Sequence, residues 1–143
     1  MDETLPSWVG TDLIENGDFE DNPVTGASGW GLFDAIPGWI AIQGDLEIQK
    51  GENAVSDLGV AGNGLVELAG RENSGIQQTV TVAEGQEGIY LLSLDHARRR
   101  DDNWIASFDV LVDGVVVASV DTSVQGSVQQ FELEVALTEG DHT

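Results

Sequence analysis

The sequence predicts an all-β domain, and three observations predict it. Short apolar runs alternate with Gly, Asn and Asp turns from about residue 12 onward, the pattern of many short strands. Few windows of helical length lack Gly, and none carries an apolar period of 3.6. Asp113-Gly114 separates two valine-rich runs, the strongest short-range hairpin signal. With 18 Gly in 143 residues and 41% apolar residues, the chain has both the turns and the core of one loop-rich β-sandwich of two antiparallel sheets.

Residues 1–11 read as a lead-in, because Pro6 and Gly10 break any period, with Trp8 available to pack at the domain edge. The domain proper spans 12–143. Leu13–Phe19 is predicted to open it as a strand. Trp39–Ile48 carries a Gly44-Asp45 turn and reads as two short strands; Leu65–Leu68 is short. Ile76–Val82 alternates with polar residues, and Ile89–Ala97 is strongly apolar. Ile105–Val112 and Val115–Val120 flank the hairpin turn, and Val128–Leu137 alternates cleanly. A period of two points Phe19, Leu68, Val80, Val82, Tyr90, Leu92, Leu94, Phe108, Val110, Phe131, Leu133 and Val135 inward. Glu139-Gly140-Asp141-His142-Thr143 reads as a turn feeding a strand that the chain stops short of. Either the chain is a fragment or the strand comes from elsewhere. Such an open edge invites strand addition or self-association.

The charge balance excludes several functions. There are 26 Asp+Glu against 5 Lys+Arg, a formal charge of −21. Phosphate backbones need a basic footprint, so nucleic acid is not expected as a partner, nor is an anionic membrane surface. Divalent cations are favoured by the negative potential; most of the carboxylates nevertheless read as a solvated coat. No apolar run approaches the roughly 18 residues of a membrane span. The start, Met1-Asp2-Glu3, is acidic where a secretion signal is basic. Cys is absent, which suits export from a bacterium.

Six segments, taken in order, carry a likeness. They are Asn16-Gly17-Asp18-Phe19-Glu20, Pro37-Gly38-Trp39, Gly64-Leu65-Val66-Glu67-Leu68, Ser74-Gly75-Ile76-Gln77-Gln78-Thr79-Val80, Tyr90-Leu91-Leu92-Ser93-Leu94-Asp95-His96-Ala97-Arg98 and Val112-Asp113-Gly114. Their order over about residues 12–143 resembles galactose-binding-like jelly-roll modules of plant cell-wall proteins. It is also similar to modules of repeat-in-toxin-type calcium-dependent adhesins of marine bacteria. The Asn-Gly-Asp-Phe-Glu opening is shared with xylan- and glucan-binding modules of glycosidases. The resemblance implies a jelly roll lacking its last strand, and a non-catalytic carbohydrate-binding module of an extracellular or bacterial cell-surface protein. It also implies a structural calcium ion on Glu20. In those modules a further ligand is an Asp of the final strand, which this chain is expected to lack. The alternative is a structural or adhesive module of a large calcium-binding adhesin, associating through its open edge without sugar binding.

The residues themselves supply candidates. Glu20 precedes Asp21 and Asn22, so hard oxygens are dense there, as calcium requires; an ordinary solvated Glu is the alternative. Arg98, Arg99 and Arg100 hold three of the five cations in the chain and run directly into Asp101, Asp102, Asn103 and Trp104. Guanidinium forks, carboxylate acceptors and an indole face are the mixture that a sugar's hydroxyl edges and C–H faces need. The same run also reads as local charge neutralisation in a surface turn. Glu67, Asp95 and Asp109 fall on the side opposite the inward residues, either as a shared binding face or as solvent-facing acids. Trp30 and Trp39, beside Gly and Pro, read as core plugs, and His96 as a packed rather than a ligating histidine. No Gly-x-Ser-x-Gly elbow, His-Glu-x-x-His or phosphate loop is present. Carboxylates are too abundant for any pair to stand out as a glycosidase dyad, so no enzyme is expected.

Overall fold

The computed structural model describes residues 12–50, 64–68, 72–98, 107–122 and 128–143. Over these residues the protein is all-β, without helices, and every strand pairing is antiparallel. The strands are β1 (Trp30–Phe33), β2 (Ala35–Ile36), β3 (Trp39–Gln43), β4 (Leu46–Lys50), β5 (Gly64–Glu67), β6 (Gly75–Gln77), β7 (Val80–Val82), β8 (Gly88–His96), β9 (Ser107–Val112), β10 (Val115–Asp121), β11 (Gln129–Leu137) and β12 (Gly140–His142). They form the sheets β1-β4-β5, β2-β3-β6, β8-β11, β9-β10 and β7-β12.

The two three-stranded sheets share a core, an arrangement consistent with a β-sandwich. Leu46 and Ile48 of β4 are fully buried and meet Ile36 of β2. Phe33 and Val66 from the same sheet as β4, and Trp39, Ala41 and Ile76 from the facing sheet, close around them. Alternation is clean on β8, where Tyr90, Leu92 and Leu94 turn in and Ile89, Leu91, Ser93 and Asp95 turn out. They register against Val135, Leu133 and Phe131 of β11, so these six of the twelve residues expected to point inward form cross-strand apolar pairs. The β9–β10 hairpin turns at Asp113 (φ 53°) and Gly114 (φ 79°), the two positive values that a right-twisted two-residue turn demands.

Four expectations are corrected. Leu13–Phe19 is not a strand: Asn16 (φ 51°) and Phe19 (φ 56°) are left-handed, and Phe19 N–H donates to Asn16 O at 3.1 Å, closing a turn where a strand would run on. Ile76–Val82 is two strands, because Gln78 leaves the ladder to bond the Glu15 backbone. Its Oε1 accepts from Glu15 N (2.7 Å) and its Nε2 donates to Glu15 O (2.8 Å). Trp30 is no core plug; it lies 57% exposed on β1. The last residues are not only a turn, for Gly140–His142 form β12 on β7 rather than beside the opening segment.

β12 is fastened by a charged clasp. His142 Nδ1 lies 2.7 Å from Asp113 Oδ2 and its Nε2 lies 2.8 Å from Thr138 O. Both ring nitrogens face acceptors, so the doubly protonated ring fits best. The hydrogen bond to Asp113, then that to Thr138 O, raises the His142 pKa above 6.5. The same bond, with the Thr143 N–H, lowers Asp113 below 3.8. The clasp therefore stabilises the fold fully between those two ordinary values. It is lost as pH rises through the raised His142 value, and again as pH falls through the lowered Asp113 value. Thermal unfolding from about pH 5.5 to about pH 8.5 should show a wild-type melting temperature that declines relative to that of His142→Gln.

Candidate functional site

Strand β4 is buried on both faces, and its second face is polar. Leu46 and Ile48 enter the core; Glu47 and Gln49 point the other way and are still only 8% and 3% exposed. Register places Glu67 of β5 opposite Glu47, and Leu65 opposite Gln49. On the other side Leu32 of β1 faces Glu47 and Trp30 faces Gln49. Cross-strand partners share a face, so Trp30, Leu32, Glu47, Gln49, Leu65 and Glu67 form one surface of the β1-β4-β5 sheet. Gln49 Nε2 donates to Glu47 Oε1 at 3.0 Å and also to Glu67 Oε2. Gln49 Oε1 is buried and meets no donor.

Glu20 sits at the other end of β5. Its Oε1 accepts from Gly64 N–H at 2.5 Å, and its Oε2 lies 3.8 Å from Lys50 Nζ. A glycine is required at 64, since a Cβ there would lie 2.5 Å from Phe19 O. The nearby carbonyls of Phe19 and Glu20 receive the Asn22 Nδ2. Calcium needs six to eight oxygens turned towards one point. Around Glu20 the described partners are N–H donors and an ammonium, which the carboxylate ties to the ends of β4 and β5. These residues do not fit a calcium cage, and no group of three or more acidic, His or Cys ligands occurs among the described residues.

The other sequence candidates are distributed. Asp95 is exposed on β8, opposite Gln130 of β11. Asp109 is exposed on β9 and accepts from Ser119 Oγ at 2.7 Å. Glu67, Asp95 and Asp109 thus belong to three separate hydrogen-bonded sheets. Arg98 is half-buried just after β8; Arg99, Asp101, Asp102 and Trp104 lie outside the described residues, as does the 1–11 lead-in. Glu20, Gln49, Glu67, Asp95, Arg98 and Asp109 all border one open space of about 2530 Å³. Ligand pockets are roughly 300–1,000 Å³, so a shared border on a space this wide does not put them within reach of one ligand. His96 packs, its ring meeting Phe108 edge-on at 5.6 Å. Trp39 packs on Phe19 at 5.3 Å and donates from Nε1 to Asn16 O at 2.9 Å.

Sequence reasoning missed Glu47, Gln49 and Trp30. The available signal was the alternation Leu46-Glu47-Ile48-Gln49, neither half of which entered the expected inward set. Comparison with protein families, with curated proteins and with solved structures finds no match to this chain.

Proposed function

We propose that the chain is a non-catalytic carbohydrate-binding module of a secreted or bacterial cell-surface protein, built on a jelly-roll sandwich and stabilised by calcium. One observation carries the reading: Trp30 is exposed on the same sheet surface as the half-buried acceptor Glu67, with Glu47 and Gln49 buried between them. An indole face covers the C–H side of a pyranose, and half-buried acceptors such as Glu67 take hydroxyl hydrogens. The charge of −21 directs the choice to neutral glycans over uronic or sulfated ones. Arg98, Arg99, Asp101, Asp102 and Trp104, which follow β8 in sequence, are the second proposed contact group, with Asp95 on the strand itself.

Affinity electrophoresis through gels holding neutral plant and algal polysaccharides tests the proposal. Trp30→Ala should weaken retardation at least tenfold while the melting temperature stays within a degree or so, since a surface substitution moves stability by only about 0.5 kcal/mol. Trp104→Ala reports on the second contact group. If no polysaccharide retards the wild type, the binding reading is wrong. The adhesive reading then has its own support in Leu111, Val115 and Val116, exposed on the β9–β10 hairpin, an apolar surface suited to association.

A further inference from the structure

We infer that the outer face of the β8–β11 sheet is a docking surface for a basic amphipathic helix of another protein. This goes beyond the glycan reading and does not depend on it. Alternation sets the face. Tyr90, Leu92 and Leu94 turn in, so Ile89, Leu91, Ser93 and Asp95 stand outward on β8. Register places Ala136, Glu134, Glu132 and Gln130 of β11 opposite them in that order, and these too are exposed. Cross-strand partners share a face.

The face has an apolar end and an acidic end. Ile89 and Leu91 are 64% and 62% exposed, and Ala136 lies across from Ile89. One exposed aliphatic side chain is ordinary. Two large ones at successive outward positions, with an apolar group across the pair, make a patch. The acidic end holds Asp95, Glu132 and Glu134. Each lies about 7 Å from the next, along β11 or diagonally across the two strands. No Lys, Arg or His stands on this face. No ion pair reaches the three acids among the described residues.

These features select the partner. Its charge is positive, because the acids lack a counter-charge and complementary potentials favour association. A second copy would bring another formal charge of −21 to the same face, which repels. Its shape is a helix. Ile89 to Asp95 spans about 20 Å, the length of about 13 helical residues. A helix laid along β8 can set apolar residues, three or four apart and about 5–6 Å from each other, on Ile89 and Leu91. Lys or Arg one turn further on then meets the acids. Amphipathic helices cover sheet faces within domains in the same way. No aromatic ring stands on this face, which separates it from the Trp30 surface.

The probe is a synthetic helical peptide of about 14 residues, leucine on one face and lysine beside it, followed by fluorescence anisotropy. The salt is about 0.15 M, where exposed charges more than about 8 Å apart are largely screened. The peptide should bind the full chain. Leu91→Ser should weaken binding at least fivefold, and so should Glu132→Gln combined with Glu134→Gln. Asp34→Asn combined with Asp121→Asn removes the same charge from exposed acids outside this sheet, and should change binding less than twofold. The double Gln variant relieves repulsion and should fold, so it decides the matter should Leu91→Ser fail to fold. A peptide with serine in place of leucine should bind at least tenfold more weakly. Equal binding of the serine peptide overturns the inference, since net charge alone would then attract it. An equal loss in the Asp34 and Asp121 variant overturns it for the same reason. Wild-type affinity in folded Leu91→Ser, or a wild type that does not bind, also overturns it. A wild type that dimerises without peptide, and becomes monomeric in Leu91→Ser, would give the face to a second copy instead. Polysaccharide retardation through Trp30 stands or falls separately.

Discussion

Ile48→Ala should lower stability by about 2–5 kcal/mol, the range for truncating a fully buried aliphatic side chain. Ile48 is 0% exposed at the centre of β4, with Gly31 and Val66 as its neighbours in register. The facing sheet presents Ile36, Trp39, Ala41 and Ile76 to the same cluster. Strands hold these groups on both sides, so the cavity cannot close by a side-chain shift alone. At roughly 2–4 °C per kcal/mol for a chain of this size, the melting temperature should fall on the order of 10 °C. Ile42→Ala is the control. Ile42 is 60% exposed on the outer side of β3, and its truncation should change stability by no more than about 0.5 kcal/mol. Equal losses at both positions would mean that the two three-stranded sheets do not form the shared core.

The contrast between Ile48 and Ile42 also marks what could be read from the sequence. Both lie in apolar, alternating stretches, and period-two reasoning finds the strands and their two faces. It found the alternation of β8 and β11 and the hairpin at Asp113-Gly114, where one local rule decides. It failed where two rules compete. Leu13–Phe19 has the composition of a strand, but Asn16-Gly17 reverses the chain within it. Ile76–Val82 has the alternation of one strand, yet Gln78 satisfies Glu15 and breaks the ladder. Trp30 was assigned to the core by its neighbours Gly29 and Gly31. A ring beside glycine says nothing about which face of the sheet it takes. That choice is set by register with Gln49, a long-range property.

The site was legible only in part for the same reason. Glu67 was singled out by its position between Val66 and Leu68. Its partners were not, because Glu47 and Gln49 lie 20 and 18 residues earlier and meet it only through β4–β5 pairing. Apolar patterning ranks a Glu or Gln as outward, and outward was equated with solvated. On β4 the outward face is itself covered, so polarity and burial part company there. Glu20 shows the converse. The sequence made it a dense oxygen site, and the fold surrounds it with donors, Gly64 N–H and Lys50 Nζ.

Asn16→Ala should cost about 2–3 kcal/mol, a large effect for a residue outside any strand. The Asn16 side chain makes three bonds: Nδ2 donates to Asp21 O (2.9 Å) and Pro37 O (2.8 Å), and Oδ1 accepts from Asp21 N (3.0 Å). Each is worth about 0.5–1.5 kcal/mol net, at the lower end here because the site is partly wet. The left-handed backbone at φ 51° suits Asn and adds about 1 kcal/mol against Ala. Its carbonyl, which takes Trp39 Nε1 and Phe19 N–H, survives the substitution but loses the frame that aims it. Asn16→Gly separates the two contributions, since glycine keeps the backbone conformation and loses only the side-chain bonds. Asn16→Asp should be the worst of the three, because it turns a carboxylate onto the Asp21 and Pro37 carbonyls. Chemical denaturation of the three variants measures the order. Should Asn16→Ala match wild type within about 0.5 kcal/mol, the Asn-Gly-Asp-Phe-Glu turn is not what fastens the opening segment to the β2–β3 hairpin. The Trp39–Phe19 contact would then carry that attachment, while the Gln78–Glu15 bonds hold the segment to the link between β6 and β7.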